Sequence, residues 1–146
     1  MSIHLKEINK ENWEECVNLD VHEKQNGFVP SNAYSIAQSK FEKNMHMFGI
    51  YNDNSIIGFT AYILDDDGDM NLARFMIDKK EQGKGYGKSA LQKVIELIKT
   101  NFDNKEIWIS IHPKNSTAIH LYNSVGFNVT ETGLESEDEI FLKLDL

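Results

Sequence analysis

Gln82-Gly83-Lys84-Gly85-Tyr86-Gly87-Lys88 marks the point where the hydrophobic period of the chain changes. Before it, Met70 to Ile77 reads as a strand. After it, Tyr86 to Thr100 carries Ala90, Leu91, Val94, Leu97 and Ile98 on one face, the spacing of an amphipathic helix. Glycines at a strand-to-helix junction permit positive φ and let the backbone approach a ligand closely. Successive free N–H groups at a helix start form an anion cradle, helped by the helix dipole. The stretch therefore predicts a phosphate or pyrophosphate site, with Lys84 and Lys88 adding positive charge. Two other phosphate loops do not fit. A P-loop needs a glycine where Gln82 stands, and the dinucleotide fingerprint needs Gly or Ala where Lys88 stands.

Working outward, Ile3 to Ile8 alternates as a first strand. Asn12 precedes Trp13, Cys16, Val17 and Leu19 as a candidate N-cap of a first helix. Gly27 to Asn32 reads as a loop, and Ala33 to Lys43 as a second helix. Met47 to Tyr51 and Ile56 to Leu64 are strands about the turn Asn52-Asp53-Asn54-Ser55, and Asp65 to Asp69 is the next turn. On the far side, Glu106 to Ile111 is a β-branched and aromatic strand. Ser116 to Val125 is a helix capped by Asn115 or Ser116, and Phe127 to Thr132 and Ile140 to Leu144 close the chain as strands. The order β-α-α-β-β-β-α-β-α-β-β excludes a sandwich or a helix bundle and predicts a mixed α/β (α+β) sheet with helices on its faces.

The 146 residues suggest one domain over 1–146, with no repeat, linker or low-complexity tract. The opening Met-Ser-Ile-His-Leu-Lys-Glu reads as a strand rather than a leader, and no apolar run reaches bilayer length. A lone Cys16 excludes an internal disulfide and a cysteine-rich zinc site, and fits a cytoplasmic location. A net charge of -8 argues against a nucleic-acid partner and favours a cationic one.

Two stretches carry a resemblance. Gln82 to Gly87 resembles the Q/R-x-x-G-x-G/A pyrophosphate loop of the GNAT N-acetyltransferases. Asn115-Ser116-Thr117-Ala118-Ile119-His120-Leu121-Tyr122-Asn123-Ser124-Val125-Gly126-Phe127 resembles that family's N-x-x-A-x-x-L-Y-x-x-x-G-F signature. Two motifs in order, about thirty residues apart, are far more specific than either alone. Asn26 to Asn32, with Ser35 after it, is similar to a bacterial subgroup acting on spermine and spermidine. The resemblance implies a mostly antiparallel sheet of six or seven strands flanked by about four helices, with a bulged fourth strand splayed from the fifth. It also implies acetyl-CoA as co-substrate and a small cationic amine as acceptor, which attacks the thioester directly. Dimers recur in the family, so a homodimer is one expectation.

By the same resemblance, Phe75, Met76 and Ile77 line the pantetheine cleft, and Gln82, Gly83, Lys84, Gly85, Tyr86, Gly87 and Lys88 hold the pyrophosphate. Asn115 and Ala118 border the arm, and Tyr122 points its phenol at the sulfur as the acid. The amine needs a base, for which Glu23 leads, with His22, Asp65, Asp66 and Asp69 as alternatives. His112 and His120 read as ordinary surface residues, and no spacing supports a metal. Asp65 to Asp69 lacks the calcium loop's last ligand, since residue 76 is Met. That cluster and Glu135 to Glu139 read as solvated turns or as a field gathering polycations. Other acceptors (a protein α-amine, a lysine, an aminoglycoside) and a non-catalytic acetyl-CoA-binding module stay open.

Overall fold

The chain forms strands β1 (Ile3–Glu7), β2 (Met45–Asn52), β3 (Ser55–Leu64), β4 (Met70–Ile77), β5 (Glu106–Ile111), β6 (Asn128–Val129) and β7 (Ile140–Asp145). A computed structural model describes residues 2–22 and 30–146. Among the described residues the helices are α1 (Trp13–Val17), α2 (Asn32–Ser39), α3 (Tyr86–Asn101) and α4 (Ser116–Ser124). The seven strands form one sheet in the order β1-β2-β3-β4-β5-β7-β6. Every pairing is antiparallel except β4 with β5. The expected element order and fold class hold.

Alternation along β3 and β4 separates two cores. Phe59, Ala61 and Met76 pack with Cys16 of α1. Tyr62 and Leu72 join Leu91, Val94 and Ile98 of α3, with Ile107, Ile109 and Leu142 from the far strands. Leu91, Val94 and Ile98 are buried, each contributing about 1.5–3 kcal/mol. That outweighs the roughly 1 kcal/mol cost of Gly87 in the helix's first turn.

Three local readings change. Asn12 does not cap α1 through its side chain. Its Oδ1 accepts from Asn9 N at 2.8 Å and its Nδ2 donates to Glu7 O at 3.0 Å, tying the loop back to β1. The second helix starts at Asn32, capped by Ser31, whose Oγ accepts from Tyr34 N at 3.1 Å, and stops at Ser39 rather than Lys43. The strand expected over 127–132 shrinks to Asn128–Val129, because Phe127 is consumed by the core and the chain then turns through Gly133 at φ 83°.

Candidate active site

The cleft arises from an interrupted sheet. Ala61 faces Arg74 while Tyr62 faces Leu72, so Ala73 is an extra residue that bulges β4. β4 and β5 register at only two positions, Met70 with Ile107 and Asn71 with Trp108. Beyond them the strands part, and the edge of β4 through Ile77 has no ladder partner on the β5 side among the described residues. Gly58 holds the other edge close: a Cβ there would lie 2.4 Å from Met76 O, so only glycine lets β3 sit this near the end of β4. The gap opens into a cavity of about 520 Å³ between β4, the glycine loop and α4.

The glycine loop forms one end of the cavity. Gly83 and Gly85 have φ of 80° and 83°, and a Cβ on either would meet nothing within 4 Å. Glycine is therefore required by the left-handed backbone, not by lack of space. Gly85 is the N-cap of α3 and offers no capping side chain, so the first-turn N–H groups stay available for an anion. Gln82 Nε2 donates to Ile77 O at 2.8 Å and ties the loop to the end of β4. Asn52 Nδ2 donates to the Tyr86 hydroxyl at 3.3 Å from the β2–β3 turn.

α4 forms the opposite wall. Asn115 Oδ1 accepts from Ala118 N at 3.3 Å, so Asn115, rather than Ser116, is the cap. Tyr122 is buried, with its ring edge-on to Phe75 at 6.4 Å and to Phe127 at 5.6 Å. Burial pushes its phenol above the ordinary tyrosine range, so it remains a neutral donor at the cleft wall.

Phe75, Met76, Ile77, Gln82, Gly83, Gly85, Tyr86, Gly87, Lys88, Asn115, Ala118 and Tyr122 all line this one cavity. Lys84 does not; its ammonium pairs with Glu81 at 3.0 Å, a hydrogen bond that raises its pKa. The lining also includes Val21, Glu81, Thr117, His120, Leu121 and Ser124, which sequence reasoning missed. Helical spacing carried part of that signal: Thr117 with Leu121 and His120 with Ser124 are i, i+4 pairs on the helix that bears Tyr122.

The base candidates fare differently. Glu23, and Asn26 to Val29 of the substrate-like segment, lie outside the described residues. His22 is exposed and is not among the described residues that line this cavity. Asp65, Asp66 and Asp69 sit in the turn before β4, whereas the cleft lies at the strand's other end, about 20 Å away at 3.3 Å per residue. Their chemistry is local: Asp65 Oδ1 accepts from Asp67 N at 3.0 Å and Asp69 N at 2.9 Å, and Oδ2 from Asn71 Nδ2 at 3.0 Å. These aspartates shape a turn and are too far away to act as the base. The second acidic run is also engaged. Glu135 accepts from Thr132 and Gly133, which holds its carboxyl below the usual range. Glu139 pairs with Ser110, and Asp138 with His112 at 3.4 Å. No group of carboxylates, histidines and cysteine among the described residues has metal-site geometry, and no helix among them is long and apolar enough to cross a membrane.

The site thus offers a free strand edge for an extended amide chain, a helix start for a diphosphate, and a neutral phenol between them. The spermine/spermidine N(1)-acetyltransferase of Bacillus subtilis (strain 168) is 32% identical over 134 residues, covering 87% of this chain and 88% of that protein. The crystal structure of the PaiA N-acetyltransferase from Thermoplasma acidophilum, a complex with coenzyme A, superposes with a TM-score of 0.74 at 19% identity over 100% of both chains. That of the ribosomal-protein-S18-alanine N-acetyltransferase from Escherichia coli superposes at 0.75 with 18% identity, covering 99% and 94%. The family model described as the acetyltransferase (GNAT) family matches residues 7–127, and the chain belongs to that family.

Proposed function

We propose that this enzyme transfers the acetyl group of acetyl-CoA to a primary amine of a small polyamine of the spermine or spermidine type. The observation that carries the reading is the parted β4–β5 edge ending at a glycine-started helix, with Tyr122 in the facing wall. The 32% identity to a spermine/spermidine acetyltransferase supports the acceptor class. The residues fit the co-substrate: open backbone at Gly83 and Gly85 for the pyrophosphate, an unpaired strand edge for the pantetheine amides, and about 520 Å³ between them.

Acetyl-CoA supplies an activated thioester, so the chain's task is orientation and electrostatics. Backbone N–H groups along the free edge of β4 hold the arm and donate to negative charge developing on the acyl oxygen. Asn115, fixed as the cap of α4, places its amide beside the arm. The Tyr122 hydroxyl donates to the departing sulfur. An alkylamine near pKa 10.4 is neutral in only about one molecule in a thousand at physiological pH, so a base must take its proton. In this reading Glu23 does so.

A thiol-release assay with acetyl-CoA against spermine, spermidine, putrescine, lysine, a peptide α-amine and an aminoglycoside tests the proposal. Saturable turnover is expected with spermine or spermidine. Preference for the peptide or the aminoglycoside would overturn the acceptor class. Tight acetyl-CoA binding with no turnover on any amine would overturn transfer itself.

A further inference from the structure

A second cavity, of about 540 Å³, borders the first: Val21 and Met76 line both. Asn18, Ser31 and Asn32 are in its wall, and Asp20 is the one charged side chain among its described lining residues. The backbone of Asp20 is clipped to the segment that leaves β4. Asp20 N donates to Asp78 Oδ1 at 2.9 Å, and Lys79 N donates to Asp20 O at 2.7 Å. Its carboxylate is held as well, since Oδ1 accepts from Val21 N at 2.9 Å. Among the described residues Oδ2 has a loose partner, Lys79 Nζ at 3.9 Å, and the Asp20 and Lys79 side chains are 58% and 47% exposed. An exposed ion pair at such a distance contributes little, so another ammonium can exchange for the lysine at small cost.

We infer that Asp20 is an ammonium-binding residue of the second cavity, with Lys79 as an internal cation that a polycationic acceptor displaces. A polyamine whose one nitrogen reaches the acetyl cleft near Met76 then leaves a charged nitrogen at Asp20. This sets specificity for acceptors with a second positive charge. It rests on the polyamine reading above and adds to it the residue that recognises the non-reacting nitrogen. The clip through Asp78 and Lys79 also joins the cavity wall to the glycine loop, because Glu81 N donates to Asp78 O at 2.8 Å just before Gln82.

The test pairs two variants of the full chain with opposite expected signs. Asp20→Asn keeps the backbone clip and removes the charge; Lys79→Met keeps the aliphatic stem and removes the competitor. KM for spermidine should rise about fivefold in the first and fall about twofold in the second, the range of an exposed ion pair. Binding of hexylamine, which has no second charge, should stay unchanged in both. A purely structural Asp20 would move both ligands together and would weaken with Lys79→Met as well; either result overturns the inference. Calorimetry with spermidine reads the same pair without turnover. A wild type that binds spermidine through Asp20 but acetylates nothing keeps this inference and sinks the transferase reading. A wild type that acetylates spermidine while Asp20→Asn binds it equally well does the reverse.

Discussion

The two cavities beside β4 are built from different materials. The one against α4 has a backbone frame: a strand edge with no ladder partner on the β5 side among the described residues, two glycines at positive φ and the start of a sixteen-residue helix. The other is lined by residues from short pieces: the end of the five-residue α1, the start of the eight-residue α2, the described residues 18–21 and 30–31 beside them, and Met76. Backbone offers the same N–H and C=O groups whatever the sequence, so a backbone site tolerates substitution wherever the required φ is kept. A side-chain site changes chemistry with each replacement. The first suits a constant co-substrate and the second a particular acceptor.

The hardest test of that contrast is Gly85→Val. A β-branched residue cannot hold φ 83° without strain of about 1–3 kcal/mol, and relaxation would turn the N–H groups away from the cradle. We expect acetyl-CoA affinity to fall by about a hundredfold, measured by calorimetry, with spermidine binding little changed. Unchanged affinity would mean that backbone geometry is not what holds the co-substrate.

Tyr122→Phe comes next, because it removes one hydroxyl from the backbone-framed cavity. It should cut kcat by about a hundredfold, the scale of general-acid assistance, while leaving acetyl-CoA affinity within about twofold. The sign of its pH dependence follows from burial. A phenol whose pKa lies above the ordinary value near 10 stays protonated across the working range. The ratio of wild-type to variant kcat should therefore be flat up to about pH 10. A ratio that declines as pH rises below that point would show Tyr122 ionising there.

The smallest effect is expected on the other side of β4. Asn32 Nδ2 donates to Cys16 O at 2.9 Å and lies 3.8 Å from Met76 Sδ, so it fixes α2 against α1 and the strand. Asn32→Ala removes one of the two hydrogen bonds that Cys16 O accepts, the other being from Leu19 N at 3.2 Å, lowering stability by about 0.5–1.5 kcal/mol and raising the amine KM a few-fold. Acetyl-CoA affinity should not move. If both ligands weaken equally, the two cavities are one energetic unit and the contrast between them fails.

The same division governs what could be read in advance. α3 was legible almost to the residue, because a period-3.6 stripe and a glycine N-terminus define it alone, and β5 matches its expected bounds. Most of the first cavity's lining was legible because it falls in three stretches, within 75–77, 81–88 and 115–124, while Val21 stands apart from them. Asp20 was not: a single aspartate just after the five-residue α1 has no periodic signature, and only the fold brings it to Lys79. Lys84 misled for a related reason. A lysine in a phosphate loop looks like a ligand, but it stands three residues after Glu81, near enough to be neutralised locally. Asn12 has the residue type of a cap, yet its amide has a tertiary use, donating to Glu7 O and the Tyr51 hydroxyl.

The narrow seam between β4 and β5 also bears on cooperative unfolding. Two paired residues join a four-stranded half of the sheet to a three-stranded half. The ladder alone gives little reason for the halves to melt together; the packing of α3 against Tyr62 and Leu72 on one half and Ile107 and Leu142 on the other supplies it. A molecule seated in the seam supplies hydrogen bonds where the native sheet lacks them. By mass action, ligand at a hundred times its dissociation constant adds about 2.7 kcal/mol to the stability of the whole. A single binding event would then be felt as a rise in melting temperature across both halves.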